Sequence, residues 1–120
     1  MTPFGARLRQ LRADRGVSQK DMAAALGVSA AYLSALEHGR RGAPSWAFVQ
    51  KVVGYFNVIW DEAEELQTLA LSSHPRVVVD TSGLSEKATL IANRLAGEIG
   101  RLDGEALDAI AAILDAAQKS

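Results

Sequence analysis

The 120-residue chain is 48% hydrophobic, 22% charged and 6% aromatic, with a formal net charge of −1. That is enough for one full domain, or a small domain plus an accessory segment, and too apolar for a disordered chain. The absence of cysteine excludes a disulfide framework, a thiolate zinc site and a cysteine nucleophile. No apolar run reaches the ~18 residues of a membrane span, and no secretory signal is visible after Met1, so a cytoplasmic location is expected.

Thr2-Pro3 reads as an N-cap followed by proline at the first helical position, where its missing N–H costs nothing. Phe4, Leu8 and Leu11 recur at helical spacing until Gly16 supplies a stop. Ser18 caps a second, short helix, with Asp21 placed to complete a capping box and Met22, Ala23 and Leu26 as its buried stripe. Gly27 ends it. Ser29 then caps a third short helix from Ala30 to Glu37, with Leu33 and Leu36 facing inward and Gly39 closing it. Ser45 caps a fourth helix through Trp46, Phe48, Val49, Val52, Val53 and Phe56. Asp61 with Glu64 forms a further capping box, opening a fifth helix through Leu66, Leu69 and Ala70. Five short helices joined by short loops predict an all-α domain.

The charge is unevenly spread. Between Met1 and Asn57 eight basic residues face three carboxylates, a balance of +5, whereas from Val58 onward five face eleven, a balance of −6. A basic half attracts a polyanion and an acidic half repels one, so either the halves do different jobs or the surface is merely uneven.

The decisive stretch is VSQKDMAAALGVSAAYLSALEHGRR, residues 17–41. Small Ala23 permits close helix crossing, and Gly27 permits a left-handed turn residue. With Leu8, Arg12 and Gly16, the residues Ser18, Gln19, Ala23, Leu26, Gly27, Val28, Ser29, Tyr32, Leu33, Leu36, Glu37, Gly39 and Arg40 resemble the DNA-binding domain of the Xre/Cro/C1-type helix-turn-helix regulators, the family of the lambdoid phage repressors. The resemblance covers residues 4–70 or so.

It implies a lambda-repressor-like DNA-binding domain over residues 1–71, in which the helix from Ser18 crosses the phosphate backbone and the helix from Ser29 enters the major groove. Ser29, Ala30, Ala31, Ser34 and Ala35 would then face base edges, and Ser18, Gln19, Tyr32, His38, Arg40 and Arg41 the phosphates. His38 can equally be a bystander beside the basic loop. Arg12 and Glu37 match a buried ion pair that holds the fold. The expected reading face is plain where phage repressors often carry glutamines. Alanine and serine make no bidentate base contact worth about 1–3 kcal/mol of discrimination, so specificity is expected to lean on DNA shape, water and flanking residues.

Residues 72–83 read as a connector. Arg76–Asp80 is a β-branched run, either a short strand or an extended segment, and a lone strand would have to pair with a second chain. Residues 84–120 read as a helical hairpin: Ser85 caps a helix through Ala88, Ile91, Leu95 and Ile99, and a break at 101–104 leads into a last helix through Leu107, Ile110 and Leu114. The hairpin either packs back on the first domain or, the favoured reading, pairs across a two-fold through Ile91, Leu95, Ile99, Leu107, Ile110 and Leu114.

Enzymatic readings fare poorly. Asp61, Glu62, Glu64 and Glu65 open a helix, where negative charge opposes the macrodipole. No nucleophile elbow, phosphate-binding glycine loop or metal-ligand spacing appears. Trp46, Tyr55, Phe56 and Trp60 could line a ligand pocket but are expected to be ordinary core. The expectation is a homodimeric repressor that is not an enzyme, needs no cofactor or metal and binds neither membrane nor small molecule. Its target would be double-stranded DNA at a palindromic operator with half-sites about 34–36 Å apart. The alternatives are an antitoxin-type regulator or an interaction adaptor whose acidic half binds a partner protein.

Overall fold

The computed structural model describes residues 1–119. These form seven α-helices and no strand: α1 (Pro3–Arg15), α2 (Gln19–Leu26), α3 (Ala30–Glu37), α4 (Trp46–Phe56), α5 (Trp60–Leu71), α6 (Glu86–Glu98) and α7 (Gly104–Gln118), with a 3-10 turn at Ile99–Arg101. The chain divides into two compact units after Val77. No helix among the described residues is long and apolar enough to cross a membrane.

In the first unit, a side-chain cap starts four of the five helices. The Thr2 hydroxyl accepts from the Gly5 N–H at 3.1 Å, Ser18 from Asp21 at 3.0 Å, Ser29 from Tyr32 at 3.0 Å and Ser45 from Phe48 at 3.1 Å. Each bond satisfies a first-turn N–H that has no partner within the helix. α2 ends where Gly27 adopts φ +73°, with its N–H on the Ala24 carbonyl and that of Val28 on Ala23. Glycine reaches this left-handed backbone without a Cβ penalty and so allows the tight turn into α3. The same pattern closes α4 at Asn57, the one described non-glycine residue with positive φ.

Five helices enclose one core. α1 contributes Phe4, Leu8 and Leu11; α2 Met22, Ala23 and Leu26; α3 Leu33 and Leu36; α4 Phe48, Val49, Val52 and Phe56; α5 Leu66 and Ala70. α1 packs tightly on α3, since a Cβ on Gly5 would lie 2.3 Å from the Leu36 carbonyl oxygen. Ser73, just past α5, is buried; its hydroxyl accepts from the Phe4 N–H at 2.9 Å and donates to the Leu69 carbonyl. It thereby ties the end of α5 to the start of α1.

Two expectations need correction, and one open alternative is decided. Of the four aromatic residues assigned to the core, only Phe56 is buried; Trp46, Tyr55 and Trp60 are 57%, 37% and 89% exposed. Trp46 and Trp60 open their helices and, at 3.6 residues per turn, point roughly a quarter-turn or more away from the buried stripes. The Asp61–Glu64 capping box does not form. α5 begins two residues earlier, capped by Ile59 without a side-chain bond, and Asp61 and Glu62 sit inside its first turn, where carboxylates favour the positive helix end. Arg76–Asp80, left open between a short strand and an extended segment, forms no strand. Its valines are exposed, and β-branched residues without a neighbouring ladder form no sheet.

The second unit has helices but no interior. Ser85 caps α6 through the Ala88 N–H, and Asp103 caps α7 through Ala106 at 2.8 Å. No residue from 74 to 119 is buried.

Candidate nucleic-acid interface

α3 has two faces because its leucines lie on one side only. Leu33, Leu36 and Glu37 are buried, whereas Ser29, Ala30 and Ala31 at its N-terminal end are exposed, with Ser34 and Ala35 half-buried beside them. The expected reading residues therefore share one end and one side of α3. The outer surface consists of small side chains, so a partner can come close to the helix backbone.

Around this face lie the expected phosphate contacts. Ser18 is exposed, its oxygen engaged as the α2 cap. Arg40 and Arg41 follow α3 on the surface. The Arg41 guanidinium lies 5.5 Å from the centroid of the Tyr32 ring, and that ring meets the buried Phe48 edge-on at 5.7 Å. His38 caps the C-terminus of α3 and is exposed. Its Nδ1 is 2.8 Å from the Ser34 carbonyl oxygen, an acceptor only, so Nδ1 carries the proton in this contact.

Gln19 is held from behind. Its Nε2 donates to Glu37 Oε1 at 3.2 Å. Glu37 also accepts two bonds from Arg12, Nε to Oε2 at 3.0 Å and Nη2 to Oε1 at 2.9 Å. Arg12 Nη1 in turn donates to the Val17 carbonyl. The carboxylate is fully buried yet accepts three bonds, which is what makes a buried charge tolerable. This network joins α1, the start of α2 and the end of α3, and so fixes the angle at which α3 is presented.

Three cations of the basic half also make bonds within the fold. Arg12 is bound to Glu37, Arg15 donates to the Phe56 carbonyl at 2.7 Å and Lys51 Nζ reaches the Leu26 carbonyl at 3.5 Å. These three close helix ends or neutralise a buried carboxylate. Only Arg12 has its charge matched by a carboxylate; Arg15 and Lys51 stay exposed, and no local signal marks their partners, which lie 41 and 25 residues away.

The apolar positions expected to pair between chains divide. Ile91, Ile99, Leu107 and Leu114 are exposed, and Leu95 and Ile110 half-buried. Leu90 and Ile113 are exposed as well.

The fold and this surface define a helix-turn-helix protein. The family described as a helix-turn-helix domain matches residues 3–66. Three relatives come from Bacillus subtilis (strain 168). The uncharacterized HTH-type transcriptional regulator RghRB is 36% identical over 61 residues, 51% of this chain and 44% of that protein. The HTH-type transcriptional repressor RghR is 42% identical over 52 residues, 43% of this chain and 38% of that one. The HTH-type transcriptional regulator SinR is 33% identical over 92 residues, 70% of this chain and 83% of SinR. A solved structure titled SinR protein/SinI protein complex aligns over 98% of this chain and 99% of that one, at 21% identity and a TM-score of 0.45. The match thus spans less than half the length of RghRB and RghR. The chain belongs to the Xre-like family of helix-turn-helix transcriptional regulators.

Proposed function

We propose that this chain binds double-stranded DNA as a homodimeric transcriptional repressor, with α3 in the major groove of a palindromic operator. The observation that carries the reading is the exposed N-terminal end of α3, with the solvent-facing Arg40 and Arg41 following the helix and the Arg12–Glu37–Gln19 network bracing it. Ser29, Ala30, Ala31, Ser34 and Ala35 meet base edges; Ser18, Gln19, Tyr32, His38, Arg40 and Arg41 serve the phosphate backbone. A face this plain makes few bidentate base contacts, so DNA shape and a second half-site carry much of the selectivity.

Dimerisation is assigned to the second unit. Two helices in about forty residues bury too little to be stable alone, and the aliphatic faces of α6 and α7 stay in water. Pairing with a second copy would cover them in a four-helix arrangement. A partner protein of other sequence could cover the same face, as in an antitoxin-type regulator or an adaptor, and the dissociation behaviour of the purified chain separates the two.

The test is salt dependence of duplex binding. Log affinity should fall linearly with log salt, by about 0.9 per neutralised phosphate, and Arg40→Ala should reduce the slope by about one. A salt-insensitive wild type would end the DNA reading. For the dimer, the chain should be cut after Val77 rather than after Leu71, because Ser73 belongs to the first unit's packing. A fragment that still sediments as a dimer would remove the pairing role from α6 and α7.

A further inference from the structure

We infer that Tyr32 is a positioning residue: its ring holds the Arg41 guanidinium ready for the phosphate backbone, and the ring face, not the phenol hydroxyl, is what duplex binding uses. This rests on the duplex-DNA reading above and changes the part played by Tyr32 in it.

The geometry is a three-layer stack. Phe48 is buried in the core, Tyr32 stands edge-on against it at 82° and 5.7 Å, and Arg41 lies over the Tyr32 ring at 5.5 Å. Each layer is fixed by the one beneath. Tyr32 is half-buried and packs against the core cluster, so its ring is a stationary platform on α3, whereas Arg41 sits in a loop beside Gly42 with an exposed side chain. A free arginine there would lose rotamer freedom on reaching a phosphate. The stack removes part of that loss in advance. Because guanidinium is planar, it can lie face-on to the ring and still present its N–H donors edge-on to an anion.

The experiment is a double-mutant cycle, read as dissociation constants for a short mixed-sequence duplex at low salt. Tyr32→Leu keeps apolar packing on Phe48 and removes the ring; with Arg41 present it should weaken binding by about two- to fivefold, the range of an exposed cation–π contact. In an Arg41→Ala background Tyr32→Leu should cost nothing further, because its effect passes through Arg41. Tyr32→Phe should bind as the wild type does. In the free protein, NMR should show the Arg41 Hδ protons shifted upfield by the ring in wild type and Tyr32→Phe, and not in Tyr32→Leu.

An equal penalty for Tyr32→Leu in both backgrounds would overturn the inference, since Tyr32 would then act directly or through the fold. A Tyr32→Phe as weak as Tyr32→Leu would also overturn it, by making the hydroxyl the agent. If the wild type binds no duplex while the upfield shift is present, the DNA reading has failed and takes this role with it. If duplex binding is normal and the shift is absent, only the stacking inference falls.

Discussion

Phe4, Leu8 and Phe56 keep at most 2% of their surface, whereas Ile91, Ile99 and Leu114 keep 47%, 53% and 60%. Both sets sit on helices with good caps and regular apolar spacing. The difference is the number of helices available to close a volume. Five can surround Leu33 and Met22 on all sides, and two leave each other's outer faces open. Amphipathic spacing decides which side of a helix is apolar; a core also needs enough neighbours to cover it.

The largest expected effect lies in the first unit. Arg12→Leu leaves the buried Glu37 carboxylate without its bidentate partner and should cost about 3–5 kcal/mol, seen in thermal or denaturant unfolding of the fragment ending at Val77. A loss below about 1 kcal/mol would mean that Gln19 and water replace the guanidinium.

The second unit should respond to concentration instead. Ile91→Asp combined with Leu114→Asp should weaken self-association by roughly thirtyfold or more, the effect of losing about 2 kcal/mol at an interface centre. Sedimentation equilibrium reads this directly. Unchanged association would make these side chains ordinary surface, where substitutions usually stay within about 0.5 kcal/mol.

Ser73→Ala tests where the first unit ends. It strands the buried Phe4 N–H and should destabilise that unit by about 1–2 kcal/mol without altering self-association. A neutral result would place the boundary nearer Leu71.

The smallest effect is acid sensitivity of α6. Glu98 accepts two hydrogen bonds from Arg94, and these, with the guanidinium's charge, hold its carboxyl below the ordinary value of 4.5. A lowered carboxylate contributes above its unfolded pKa and loses that contribution as pH falls through the folded one. Helicity of the full chain should therefore slip slightly as the pH falls below the ordinary carboxylate value of 4.5, and added salt should blunt the change. A flat acid titration would show that this exposed pair adds nothing.

Much of the first unit was legible from short-range rules. Thr2, Ser18, Ser29 and Ser45 begin helices, Gly16 and Gly27 end two of them, and Gly39 makes the left-handed turn just past the His38 cap of α3, because a cap or a left-handed turn involves atoms only three to five residues apart. The failures have the same origin. The Asp61–Glu64 box reads well as a local pattern, yet the cap falls two residues earlier, at Ile59, and α5 starts at Trp60. Helical placement alone could not say that Trp46 and Trp60 point outward.

The candidate site divides along the same line. Its members Arg12, Gln19, Tyr32, Glu37 and Arg41 were named one by one from a motif. That the Gln19 amide is bonded to Glu37, that Tyr32 carries Arg41 on its face and that Arg15 serves Phe56 involve partners 9 to 41 residues apart.

The chain alone thus determined where helices begin and end, which side of each is apolar, and which residues match a helix-turn-helix motif, all properties carried by neighbours along the backbone. Tertiary packing decided which apolar sides were enclosed, which cations bond within the fold and which side chains meet at the surface of α3. Those outcomes depend on the mutual placement of helices, and several are settled by contacts as distant in sequence as the 69 residues between Phe4 and Ser73.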